Sequence, residues 1–422
     1  MKKHILNGLL FLSILLSSCS ISKKISRPAK DYILNNEAFV NAHTGISIYE
    51  PATGNYWYNY QGDKYFVPAS NTKLATCYAA MKYLGDSLIG LRYRMENKYV
   101  NFIGTGDPTF LDPEFKNQPV FDFLKKSSDV NYLLDGSTSS DFTPLGRGWS
   151  WDDYLGDYAA ERSEMPIYGN VVKFYMQADT VAVMPSFFYN ESIQWNNGIL
   201  RNGGQPYFKI VRPFEVNSFY TLSSSQMYRT RTKFTSQFVP FKTFSKSLYP
   251  RKRTFIKLLE DTLHKTIGDW SLVDAPPRFQ DYSIIHSQPT DSLLKPMMHR
   301  SDNFFAEQSL LMVSNVVLGT MNDQKIIDTL LKTDFKSFPQ KPGWVDGSGL
   351  SRYNLFSPID FVFILNKMKN DFGMERIKNI LQTGGTGTIS NYYREDRGYI
   401  FVKTGTLNGV VALSGFFIYE KK

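Results

Sequence analysis

Cysteine is almost absent from this chain: among 422 residues there are two, Cys19 and Cys77. Cys19 closes an N-terminal apolar run and is read below as a modified residue. That leaves Cys77 alone, so the core must hold without an intramolecular disulfide. Histidine is scarce too, at five residues, with no His-x-x-x-His or similar pair, which disfavours a metallopeptidase. Zinc-finger spacing, a P-loop and a glycine-rich dinucleotide fingerprint are all missing. Nothing therefore points to a metal, an organic cofactor or a nucleic-acid partner. No repeat or low-complexity tract is evident. The apolar run from Ile5 to Leu16 is too short for a comfortable membrane span.

That run is read as an export signal. Lys2 and Lys3 form its basic start, and Leu16-Ser17-Ser18-Cys19 at its end resembles a lipobox. Residues 1–19 are then a lipoprotein signal peptide, Cys19 becomes the first mature residue and carries lipid, and residues 20–40 form a polar tether. Acyl chains anchor because each buried methylene contributes roughly 0.8 kcal/mol. The expected location is the cell envelope, as a periplasm-facing lipoprotein on the outer membrane. The alternative is an ordinary signal peptide cut near the same place. A net charge of +9, spread along the chain, suits anionic headgroups or cell-wall polymers as well as it suits a solvated basic surface.

The rest divides by pattern. Gly45–Glu50 and Tyr56–Tyr60 flank the turn Pro51-Ala52-Thr53-Gly54 and predict a hairpin. A helix is expected from Ser70 to about Leu84, with Leu74, Cys77, Tyr78, Met81 and Leu84 as its apolar stripe. Cys77 reads as a small buried hydrophobe on that stripe. From about 90 to 289, short aromatic and β-branched runs such as Tyr207–Val211 alternate with turn residues, predicting one or two mostly β inserted domains. Helix is expected again at Ser292–Leu318, about Gln324–Leu331 and Pro358–Lys369. Strands follow at Tyr399–Lys403 and Val410–Tyr419.

Three motifs carry the chemistry, in order: Ser70-Asn71-Thr72-Lys73, Ser301-Asp302-Asn303 and Lys403-Thr404-Gly405. Ser-x-x-Lys alone is weak, since it also begins at Ser20 and Ser292; Ser-x-Asn and Lys-Thr-Gly occur once each. Three residues along a helix, Lys73 reaches the Ser70 hydroxyl. A serine attacks only when a base takes its proton. A lysine serves as that base if burial and a nearby cation lower its pKa, and Lys403 is the candidate cation. Helix-start N–H groups favour a developing oxyanion. Ser301 is placed to pass a proton to a leaving amine, and Asn303 to hold a substrate amide by donor and acceptor. Lys403 and Thr404, ending a strand, suit a substrate carboxylate. Gly405 leaves room for substrate along the strand. Read singly, each motif is also explained as a cap, a polar helix start or a strand end.

Together they form the motif set of serine β-lactamases and penicillin-binding proteins. The chain resembles the penicillin-binding protein 4 type of D-alanyl-D-alanine carboxypeptidase/endopeptidase, peptidase family S13. The resemblance spans nearly the whole chain after the signal. It includes Pro68–Leu74, Gly106-Asp107-Pro108-Thr109, Gly148–Asp153, Arg300–Asn303 with Ala306-Glu307-Gln308, Asp346–Arg352 with Asn354-Leu355, and Lys403–Val410. It implies an α+β fold, a serine β-lactamase/transpeptidase-like domain (residues 41–89 and 290–422) split by inserted, mostly β domains (residues 90–289). It implies Ser70 as acylated nucleophile and Lys73 as base, with Ser301, Asn303, Lys403 and Thr404 lining the groove. The N–H groups of Ser70 and Thr406 become the oxyanion hole. Asp153 becomes the acceptor of a diamino-acid amine, with Asp152 beside it. The implied partners are peptidoglycan stem peptides, β-lactams as inhibitors, and a membrane through the lipid anchor.

One departure stands out. Family members continue past the last strand into a further strand and helix, and this sequence stops at Lys422. The expectation is a gap beside Val410–Tyr419, with unpaired backbone groups. Two other readings stay open: a non-catalytic wall-binding relative, and an esterase or β-lactamase on the same scaffold.

Overall fold

The computed structural model describes residues 22–96, 99–133, 141–177, 180–199, 208–214, 216–223, 236–243, 254–270 and 282–419. The expected signal peptide and Cys19 lie outside the described residues. The segment read as a tether is helical over residues 22–34, its second part a π-helix from Ala29 to Leu34. The hairpin follows as Ile46–Glu50 paired antiparallel with Asn55–Tyr60.

The nucleophile segment begins as a 3-10 turn, Ala69–Thr72, and becomes α-helical at Lys73–Tyr83. Its first nine residues, Lys73 to Met81, are all buried, more than the single stripe the sequence predicts. Ala75, Ala79 and Ala80 are the reason: small side chains let neighbours close on the remaining faces, and the polar residues Lys73 and Thr76, buried with them, bond the Ser348 and Gly347 carbonyls at 2.7 Å each. Those neighbours are the helices Thr290–His299, Asn303–Leu318 and Pro358–Phe372. Cys77 is fully buried, and burial pushes its thiol up to about 12, which leaves it inert as a nucleophile. The Tyr78 hydroxyl donates to Asp371 at 2.7 Å, with an Asp334 oxygen 3.2 Å away, so this buried polar group is satisfied.

The chain leaves this domain at Ser87 and returns at Pro289, and these two residues are paired with each other. Between them lies a five-stranded sheet in the order Ile267–Trp270, Asp129–Leu133, Tyr99–Ile103, Ser87–Glu96, Ser283–Pro289. Two three-stranded sheets accompany it, one of them containing the expected strand, at Phe208–Val211. The helices Pro119–Lys126, Phe187–Ser192 and Thr254–Leu263 belong to the insert as well. It has its own core, with Phe102, Phe174, Phe188, Phe219 and Phe241 all buried.

Three local readings need correction. The helix expected at Ser292–Leu318 is two helices, broken over Arg300–Asp302. Ser301 adopts φ 62°, and the Asp302 carboxylate accepts the Phe305 N–H at 2.8 Å as the cap of the second helix. The strand expected to end at Lys403 runs on from Ile400 to Leu407, so the whole Lys-Thr-Gly motif lies inside it. A short helix at Met374–Ile380 has no counterpart in the reading. The last sheet has the order Gln382–Thr383, Ile400–Leu407, Val410–Phe417. Among the described residues it is separate from the hairpin, and Val410–Phe417 is an edge with Val411 and Phe417 exposed.

Candidate active site

Each motif reaches the site by a different device. The 3-10 turn lifts Ser70 to the surface of an otherwise buried segment. Gly405 of the motif strand packs directly against that turn: a Cβ there would lie 2.5 Å from the Pro68 carbonyl and 3.1 Å from the Ser70 nitrogen. The glycine therefore admits the nucleophile turn, where the sequence reading has it make room for substrate. Asn71 adds a second tie, donating to the Ser414 hydroxyl at 2.7 Å. The break at Arg300–Asp302 brings Ser301 to Lys403, whose amine donates to its hydroxyl at 2.8 Å. A non-glycine residue in the left-handed region is costly, and such strain collects at functional sites.

Lys73 is the centre. Its amine lies 3.0 Å from Ser70 Oγ, 2.5 Å from Asn303 Oδ1 and 2.7 Å from the Ser348 carbonyl. With Asn303 and Ser348 as acceptors, a neutral Lys73 keeps its lone pair for the Ser70 proton. Burial pulls its pKa down to about 8, against the carboxylates of Asp346, Asp302 and Glu307. The sequence reading names burial and a cation, Lys403, as the two causes. In the structure desolvation does it, and the repulsion between the two lysines falls on Lys403, which burial and Lys73 hold well below the usual lysine range.

A cleft of about 970 Å³ opens above these groups. Ser70, Ser301, Asn303, Thr404, Thr406 and Asp153 line it. Lys73 and Lys403 are fully buried beneath. The Asn303 amide donates to the Tyr158 carbonyl at 3.0 Å, so both ends of this side chain are engaged by protein. Asp153 accepts the Tyr158 hydroxyl at 2.8 Å. Thr404 shares a 2.5 Å hydrogen bond with Thr388, and Arg352, opposite, donates to the Asn408 carbonyl at 2.8 Å. Sequence reasoning missed Tyr158 and Thr388, on short 3-10 helices, and Tyr392 and Tyr393, on a loop, all of which line the cleft. It quoted Asp346–Arg352 without a role. The Asp346 carboxylate accepts the N–H groups of Gly349 and Ser351, both at 2.7 Å, and the Trp149 indole at 3.0 Å, which shapes the loop carrying Ser348.

Comparison with known proteins finds relatives in sequence and in fold. The chain is 25% identical over 422 aligned positions to the D-alanyl-D-alanine carboxypeptidase of Actinomadura sp. (strain R39), covering 92% of this chain and 77% of that one. Its fold is similar to the crystal structure of penicillin binding protein 4 from Haemophilus influenzae, with TM-score 0.66 and 20% identity, covering 88% of this chain and 86% of that one. A structure of the same protein complexed with a β-lactam gives TM-score 0.61 at 18% identity, covering 89% and 87%. These likenesses show the split transpeptidase-like α+β fold with inserted domains. The model of the D-Ala-D-Ala carboxypeptidase 3 (S13) family matches residues 29–421, and the chain belongs to that family.

Proposed function

We propose that this protein cleaves D-Ala-D-Ala or cross-bridge peptide bonds of peptidoglycan through an acyl-serine intermediate. The observation that carries the reading is Lys73 Nζ, buried, 3.0 Å from Ser70 Oγ and aimed by Asn303 and Ser348. Ser70 Oγ attacks the D-Ala carbonyl carbon while Lys73 takes its proton. The carbonyl oxygen, now an oxyanion, meets the N–H groups of Ser70 and Thr406. The proton that Lys73 took passes on through Ser301, bonded to Lys403, to the leaving amine, and the C–N bond breaks, leaving Lys73 neutral and Ser301 a hydroxyl again. Water then releases the acyl group as a carboxylate. No metal or organic cofactor enters these steps.

Thr404 and Thr406 receive the terminal carboxylate of the substrate, with Lys403 directly below. A carboxylate arriving there favours the charged form of Lys403, which burial otherwise disfavours. Asp153 and Arg352 line the same cleft with opposite charges and suit the amine and carboxylate of a diamino acid. β-Lactams acylate Ser70 and block it. We further propose that Cys19 carries the lipid and holds the protein at the periplasmic face of the outer membrane; the apolar run ending Leu16-Ser17-Ser18-Cys19 supports this.

The test is labelling by a fluorescent penicillin with peptide mapping, paired with turnover of a D-Ala-D-Ala peptide. The expected result is an adduct at Ser70, lost in Ser70→Ala, and release of D-Ala. No adduct and no turnover would mean a non-catalytic wall-binding relative. An adduct with rapid drug hydrolysis and no peptide turnover would mean a β-lactamase. Mass spectrometry of the mature N-terminus tests the anchor: unmodified Cys19 overturns it.

A further inference from the structure

The charges under the cleft extend past Lys73. Glu307 lies four residues after Asn303 on the same helix, so the two share a face one turn apart. Glu307 is fully buried. One of its oxygens accepts the Ser348 N–H at 2.8 Å, and the other lies 3.1 Å from the Arg162 guanidinium. Ser348 is also the residue whose carbonyl holds Lys73 at 2.7 Å. Arg162 comes from the inserted region and is itself buried. It bonds Asp323 at 2.6 Å and the Thr143 carbonyl at 2.8 Å as well as Glu307.

A carboxylate with no water contact survives in a core only where its pairing offsets the lost hydration. Here Arg162 supplies that pairing against burial and the Asp346 carboxylate, which together still push the Glu307 carboxyl up to about 7, so its charge is full above that pH. Burial works against the charge on Arg162, but Glu307 and Asp323 more than offset it and hold its pKa above the usual value. The result is a continuous chain of bonded groups: Arg162, Glu307, Ser348, Lys73, Ser70. Asn303 reaches Lys73 directly from the same helix face that sends Glu307 to it through Ser348.

We propose that Glu307, locked by Arg162 of the inserted domain, is a positioning residue for the catalytic base: it fixes Ser348 so that Lys73 is held on Ser70. The inserted domain thereby completes the catalytic centre rather than only bordering the cleft. The proposal rests on the acyl-serine reading above and adds a role that none of the three motifs contains.

Two substitutions separate its parts. Glu307→Gln keeps an acceptor for the Ser348 N–H and removes one negative charge. The charged groups facing Lys73 are Asp346, Asp302, Glu307 and Lys403, and those facing Glu307 are Arg162, Asp346 and Asp323. Loss of one carboxylate makes the protonated form of Lys73 less stable, so a neutral base is available at lower pH. Glu307→Ala removes the bond to Ser348 and leaves Lys73 loosely aimed.

The experiment measures β-lactam acylation rate at Ser70 from pH 5 to 10, as a general assay range, with thermal unfolding of each variant. Glu307→Gln is expected to move the acid limb of the rate profile to lower pH. Glu307→Ala is expected to lower the rate by about 100-fold across the range, the effect of a misplaced reacting group. The Gln variant should recover most of that loss. A wild-type profile in Glu307→Gln, together with a wild-type rate per folded molecule in Glu307→Ala, overturns the proposal. Should the Ala variant not fold, the profile of Glu307→Gln decides alone. If the wild type itself is not labelled at Ser70, the acyl-serine reading falls, and this proposal with it; labelled wild type with unmoved variants rejects this proposal only.

Discussion

Below the cleft, Lys73, Lys403 and Glu307 have no exposure at all, and each is held by hydrogen bonds to named partners. Around its mouth, Tyr158, Tyr392, Tyr393 and Val411 are 48%, 65%, 45% and 87% exposed. The floor is charged and dry, and the rim is aromatic and wet. That inverts the usual arrangement, in which charge faces water and rings face inward. The inversion assigns different work to each layer. Charges in a dry floor are strong, have shifted pKa values and cannot move, which suits bond making. Exposed rings present area at little entropic cost, which suits holding a long polymer chain.

The largest expected effect is therefore in the floor. Lys73→Ala should slow acylation of Ser70 by about 100- to 10,000-fold, the typical loss for a general base. Measured by stopped-flow with a β-lactam, a loss near unity would break the division at its strongest point. The same group sets the pH dependence. Lys73 must be neutral to act, so the wild-type rate should climb through about pH 8 and level off above it. Its lowered pKa also works on stability. The neutral form is favoured in the fold, so this contribution is fully present above the ordinary lysine range and is lost as pH falls through about 8.

Between floor and rim stands Gly405. Gly405→Val should push the motif strand off the Pro68–Ser70 turn, at about 1–3 kcal/mol for overpacking. Displacement of Ser70 by that strain should cost about 100-fold in acylation. Melting temperature and rate are expected to fall together, and a drop in one alone would show the contact to be looser than its distances. The smallest effect belongs to the rim. Asp153→Asn removes a partly exposed charge, worth about 1 kcal/mol at most, so KM for an amine-bearing peptide should rise about 5-fold or less. Acylation by a penicillin without that amine should not change. A kcat loss in Asp153→Asn as large as that of Lys73→Ala would erase the distinction between the layers.

What the sequence made legible follows the same division. Ser70, Lys73, Ser301, Asn303, Lys403 and Thr404 were found because floor chemistry demands fixed residue types at fixed spacing. Tyr158, Thr388, Tyr392 and Tyr393 were not, because a rim needs only area and comes from short 3-10 turns and loops with no shared spacing. The hairpin and the principal helices were visible in their periodicity. The break at Arg300–Asp302 was readable in principle: an aspartate ahead of Phe304-Phe305-Ala306 is a cap signal. The surrounding apolar residues hid it by continuing the helical pattern on both sides. For the Lys73 shift the sequence reading names burial and Lys403 together, and it could not say that burial alone suffices. A neighbouring lysine can be named from a motif, whereas complete burial of an amine depends on helices more than 200 residues away in sequence.

The pairing of Ser87 with Pro289 has a kinetic consequence. The nucleophile helix and its partner helix Thr290–His299 are separated by the whole insert, and closing so long a loop slows the search for contacts. A domain whose two ends are hydrogen-bonded neighbours removes that obstacle once it has formed. From then on Tyr83 and Thr290 are joined as if by a short turn, and the search is local. The register therefore predicts an order, insert first and catalytic centre last, which pulse-labelled hydrogen exchange during refolding would read. In that order the nucleophile helix, with Lys73 to Met81 all buried in the finished fold, is covered last.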